Sequence, residues 1–164
     1  MIKISTYLKR GEEFFPLENF ASSLLDEDYI EGAIELSIDG RSLLTRAEWD
    51  CIDQLWAYLV AGLASLQAGK PFKTYFPDQP IELAFSPDAR SGRVKVQVTI
   101  NRNRNRVDVF TSLPVFIKEL ARAARFFFEQ MQELLPKPTY ARLLSEVSRL
   151  EKTQDSRTAD SKSS

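Results

Sequence analysis

"RVKVQVTINRNRNRVDVFTS", Arg93–Ser112, decides how this chain folds. Val94, Val96, Val98 and Ile100 fall on even positions with polar residues between most of them, the period-two pattern of a strand with one buried face. Val107 and Val109 repeat the pattern on odd positions. A strand running straight through would turn Arg102, Arg104 and Arg106 into the core, at a cost of several kcal/mol for each unpaired charge. The chain must therefore turn between Asn101 and Asn105, where asparagine tolerates the left-handed backbone of a tight turn. Strands joined by so short a connection are antiparallel.

The same logic extends toward the N-terminus. Ile30, Ile34, Leu36 and Ile38 share one parity, and Asp39-Gly40 follows them as a type I′ hairpin turn into the short return "RSLL". Ile2, Ile4 and Leu8 predict a first strand, and Ile81, Leu83 and Phe85 another. The stretch from Gly11 to Asp28, broken by Pro16, reads as a loop with one helical turn near Leu17–Leu25. Pro77 and Pro80 bracket Asp78 and Gln79 in a rigid loop.

Two long helices interrupt the strands. Thr45 and Glu48 have capping-box spacing, and Trp49, Ile52, Leu55, Trp56, Leu59, Val60, Leu63 and Leu66 recur at helical intervals, predicting a helix over 46–67. Ser112 caps a second helix, ended by Pro136 and Pro138. A third, shorter helix starts near Thr139 and carries Tyr140, Leu143, Leu144, Val147 and Leu150 on one side. The expected fold class is α+β: a two-layer sandwich, a mainly antiparallel sheet of about five to six strands with two long helices on one face and a shorter C-terminal helix. Residues 1–152 form one domain in this reading, and 153–164 a disordered tail with almost nothing to bury.

Composition narrows the function classes. The 164 residues contain no histidine and one cysteine, Cys51, and the formal net charge is −1. Ser-His and Cys-His catalysis, disulfides within the chain and multi-cysteine zinc sites are thereby excluded. No glycine-rich phosphate loop or metal-ligand spacing is present, so a non-enzymatic protein without a cofactor is expected. No run approaches the length of a membrane span and no leader pattern is legible, so a cytoplasmic location is expected.

What remains is segregated charge. Glu12 to Gly40 holds nine carboxylates and no lysine or arginine. Glu27, Asp28, Glu31, Glu35 and Asp39 are the candidate protein-binding surface, suited to a basic partner; an immunity-type inhibitor covering a basic toxin is the concrete version. Arg90, Arg93, Lys95, Arg102, Arg104 and Arg106 cluster with no acidic residue among them, so Arg93, Arg102, Arg104 and Arg106 form an alternative nucleic-acid or anion site. That hairpin has no stacking aromatic, because Phe110 is expected in the core. A structural subunit of a larger assembly, including a homo-oligomer, is the other alternative.

Tyr75 and Asp78 form a weaker candidate ligand loop, with Asp78 expected to close an Asx turn on its own backbone. Asp50 and Asp53 are expected on the solvent side of the first helix, and Trp49 and Trp56 on its buried face. Of Phe126, Phe127 and Phe128, the last two fit the buried stripe of the second helix, leaving Phe126 to meet another element or a partner.

Overall fold

The computed structural model describes residues 1–20, 28–102 and 105–163. Its strands are β1 (Ile2–Arg10), β2 (Glu13–Pro16), β3 (Glu31–Ile38), β4 (Arg41–Leu44), β5 (Asp50–Cys51), β6 (Phe72–Tyr75), β7 (Ile81–Asp88), β8 (Arg93–Ile100) and β9 (Asn105–Ser112). The helices are α1 (Ile52–Gln67), α2 (Leu113–Leu134) and α3 (Pro138–Ser163). The fold is α+β, and every strand pairing is antiparallel.

The strands form two sheets where one was expected. The first has order β2-β1-β3-β4, with β5 also on β3; the second has order β6-β7-β8-β9. α1 separates the two groups in sequence, and among the described residues β4 lies against β8 and β9 without joining their ladder. There Arg41 Nη1 donates to the Asp108 carbonyl at 3.2 Å, plugging an edge that would otherwise offer unpaired backbone groups. The extra strand β6 lies just before the Pro77–Pro80 loop, where no strand was expected, and β2 comes from the stretch around Pro16, which sits at the end of an edge strand where a missing N–H is harmless.

One apolar core runs between the helices and both sheets. α1 packs on β3, β6 and β7, and α2 on β1, β8 and β9; α3 packs on α1 and α2. The inward residues are those the parity arguments selected: Ile34, Leu36 and Ile38 on β3, Leu83 and Phe85 on β7, and Val94, Val96 and Val98 on β8 are buried. The Asp39-Gly40 turn forms as read, with φ of 50° and 81° closing Ile38 onto Arg41.

Gly32 shows how closely the layers meet. A Cβ there would collide with the Tyr7 carbonyl oxygen and lie 3.0 Å from Ile52 Cβ. Because the first obstacle is backbone, Gly32→Ala is expected to cost about 1–3 kcal/mol, read as a lower urea midpoint at unchanged m-value.

Both ends of the helical expectations change. α1 begins at Ile52, and Arg46–Glu48 is a separate 3-10 turn that Thr45 caps by accepting from Ala47 N at 3.1 Å. Asp50 and Cys51 are pulled into extended pairing with Gly32 and Glu31, which delays the helix. Trp49 consequently lies outside α1, whereas Trp56 is fully buried on it. Ser112 does cap α2, accepting from Val115 N at 3.4 Å.

At the other end, α3 is the longest of the described helices and runs from Pro138 to Ser163, where a shorter helix followed by a tail from 153 was expected. Residues 153–163 contain neither glycine nor proline, and propagating a docked helix adds one hydrogen bond per residue fixed. Arg157 also donates to the Gln67 carbonyl and Gln67 Nε2 to that of Leu150, tying α3 to the end of α1. Among the described residues no helix is long and apolar enough to cross a membrane.

Candidate functional site

The outer faces of the two sheets are built from similar residues and end in opposite states. On the first sheet, register places Tyr7 opposite Ala33 and Ser5 opposite Glu35 on the side away from the core. The chain from Thr45 to Trp49 returns across this side. Lys9 Nζ donates to Glu31 Oε2 at 3.0 Å and lies 4.0 Å from the Trp49 ring centroid. Arg46 Nε donates to Glu35 Oε1 at 2.8 Å, and its guanidinium carbon lies 4.3 Å from the Tyr7 ring. Cation, carboxylate and aromatic face alternate, so the charges are satisfied within the chain. Asp39 pairs with the Met1 ammonium group, Asp28 is exposed, and Glu27 lies outside the described residues.

Among the described residues, one side of the second sheet is buried in the core and most of the other is half-buried or exposed. Register aligns Tyr75, Glu82, Thr99 and Arg106 in one row, Lys73, Ala84, Gln97 and Asp108 in the next, then Ser86, Lys95 and Phe110, then Asp88, Arg93 and Ser112. Tyr75 is 63% exposed and Phe110 55%. The exposure of Phe110 corrects its expected burial: Val107 and Val109 point inward, so the even-numbered ring between Val109 and Thr111 must point out.

Part of the charge here is paired, Lys73 with Glu82 at 3.6 Å and Arg106 with Asp108 at 3.3 Å. Among the described residues, neither Arg93 nor Lys95 has a carboxylate within ion-pair distance. Asp88 stands opposite Arg93 in register, but its carboxylate accepts from the Arg90 amide at 3.0 Å. Arg93 instead lies over the Phe110 ring at 5.7 Å. Of the alternative anion set, Arg102 occupies the turn with φ of 55° and Arg104 lies outside the described residues, so the structure joins only Arg93 and Arg106 to this face.

Tyr75 belongs to that face, whereas Asp78 belongs to a different assembly. Asp50, expected in water, is only 1% exposed. Its carboxylate accepts from Cys51 N at 2.6 Å, from Asp78 N at 3.1 and 3.0 Å through its two oxygens, and from Gln79 N at 2.9 Å. Pro77 and Pro80 have no N–H, so Asp50 takes both amide donors of the 77–80 loop. Asp78 in turn accepts from the Tyr29 hydroxyl, not from its own backbone.

Asp53 accepts from Cys51 Sγ at 3.2 Å and from the Tyr140 hydroxyl at 2.9 Å. The hydrogen bond to Asp78 raises the Tyr29 pKa, and burial followed by the Asp53 charge raises that of Tyr140. Burial, then the Asp53 hydrogen bond, pushes the Cys51 thiol up to about 12. These groups join β5, the 76–80 loop and α3, and their polar atoms bond to one another. No cluster of acidic or cysteine ligands placed to hold a metal occurs among the described residues.

Cys51 gives a pH prediction. Its folded pKa lies above its ordinary value of 9.0, so the protonated thiol favours the fold below pH 9. That contribution is lost as pH rises toward about 12, because the unfolded chain ionises first. Stability is therefore expected to fall across this window in the wild type and less steeply in Cys51→Ala. In a disulfide-exchange assay at pH 8, labelling of Cys51 should follow global unfolding; fast labelling of the native chain would contradict the buried thiol.

Comparison with known proteins adds no guide to either assembly: no protein family, curated protein or solved structure matches the chain.

Proposed function

We propose that this chain is a non-enzymatic binding protein that docks a partner protein, and that the docking surface is the outer face of the second sheet. One observation carries the reading: on this sheet face Tyr75 and Phe110 are exposed, and beside Phe110 neither Arg93 nor Lys95 has a carboxylate within ion-pair distance among the described residues. Aromatic rings and arginines are the residue types that anchor protein interfaces. Four strands of up to eight residues give a patch about 15 Å wide and about 25 Å long. That is less than the roughly 800 Å² per partner of a standard interface, so the proposed contact also takes in the turns that flank the face.

The acidic version, with Glu27, Asp28, Glu31, Glu35 and Asp39 facing a basic toxin, draws less support. Freeing Glu31 and Glu35 means breaking their bonds to Lys9 and Arg46. A cytoplasmic place of action is part of the proposal and rests on the sequence.

The test is affinity capture from cells of the source organism with wild type, Phe110→Ser, Tyr75→Ser and two controls elsewhere, Phe126→Ser and Tyr58→Ser. The reading expects a protein held by wild type and both controls and reduced about tenfold or more by the face variants, as for interface anchors. Equal retention by Phe110→Ser and Tyr75→Ser, or nuclease-sensitive nucleic acid in place of protein, would overturn it.

A further inference from the structure

We infer that the groove between Phe110, Arg93 and Lys95 receives a carboxylate side chain of an acidic partner protein; this rests on the docking reading above. The groove encloses about 350 Å³ and is lined by Ser86, Asp88, Ser91, Arg93, Lys95 and Phe110. Lys95 and Phe110 face each other across β8 and β9, with Ser86 beyond Lys95 on β7. A carboxylate entering here meets an ammonium, a guanidinium held over an aromatic ring, and the Ser86 hydroxyl. The Phe110 ring supplies an apolar wall for the methylenes of a glutamate.

Among the described residues no carboxylate lies within ion-pair distance of Arg93 or Lys95, although Asp88 also lines the groove. Asp88 is turned onto the Arg90 amide, and Ser91 Oγ donates to the Asp88 carbonyl at 3.4 Å. This arrangement favours a protein carboxylate over a nucleic-acid backbone. A phosphate chain needs a continuous run of cations, and here Glu82, Asp88 and Asp108 are interspersed on the same face.

The test is an NMR titration of the labelled 164-residue chain with an unstructured peptide of alternating glutamate and serine. The comparison ligands are its glutamine counterpart, oligothymidylate of equal charge, and inorganic phosphate. The inference expects the glutamate peptide alone to move the Phe110 ring and Arg93 side-chain signals, with binding weakened about tenfold by Lys95→Gln or Arg93→Gln.

An equal response to the glutamine peptide overturns it, as does an equal response to phosphate. Tighter binding of oligothymidylate overturns it in favour of nucleic acid, and silence toward every ligand overturns it outright. In affinity capture the two claims separate. A partner lost with Phe110→Ser but kept by Lys95→Gln and Arg93→Gln removes the carboxylate groove and leaves the docking face standing. A partner kept by all three removes the docking face.

Discussion

Asp50→Ala is expected to destabilise the fold by about 4 kcal/mol, since a hydrogen bond to a charged group contributes roughly 1.5–3 kcal/mol and this carboxylate receives several. The substitution leaves the part-buried Asp78 and Gln79 amides without the acceptor that now holds them at 2.9 to 3.1 Å. It also releases the loop from the first half of the chain, because Asp50 lies on β5 and the loop leads into β7. For a chain of this size such a loss lowers Tm by about 10 °C, measured by circular dichroism. Asp50→Asn keeps one acceptor oxygen and should lose about half as much. Amide exchange at Asp78 and Gln79 should accelerate in both variants before that of β8 does. A loss in Asp50→Ala below about 1 kcal/mol would show that water replaces the carboxylate and that the staple is not structural.

Trp56→Ala is expected to cost about 3–5 kcal/mol, the range for removing a buried aromatic side chain. The indole is fully buried, stacks on Phe127 with centroids 5.9 Å apart, and donates from Nε1 to Thr6 Oγ1 at 3.1 Å. It therefore ties α1 to α2 and to β1 at one point. Trp56→Phe keeps most of the apolar contact and loses the donor, so about 1–2 kcal/mol is expected, read from urea unfolding. Trp49→Phe, outside α1, should change stability by less than Trp56→Ala. If the two tryptophans proved equivalent, the placement of Trp49 outside the helix would be wrong.

That contrast shows where local patterns sufficed. Strand parity selected the buried faces of β3, β7 and β8, and the positive-φ requirement selected the Asp39-Gly40 turn, because both depend on neighbours in sequence. The start of α1 depends on pairing between Cys51 and Glu31, far apart in the chain, and this outweighed the capping box at Thr45. Asp50 looked like a surface helix carboxylate for the same reason; its partners come from a loop nearly thirty residues later. β6 was hidden by the prolines that follow it.

The site was partly legible. Alternation places Phe110 outside once Val107 and Val109 are inside, so the signal was present and was masked by the apolar character of the residue. The bonds of Glu31 and Glu35 to Lys9 and Arg46 were not legible, because nine carboxylates without a local cation say nothing about cations contributed by other elements.

The central claim is that the chain binds through the uncovered face of its second sheet. Site-specific photo-cross-linking in cells of the source organism tests it most directly, with a photoreactive phenylalanine at Phe110 and, in a separate variant, at Tyr58 on α1. A discrete protein cross-link from Phe110 and none from Tyr58 is the result expected. A protein captured from Tyr58 alone, or nucleic acid captured from Phe110, would contradict the claim.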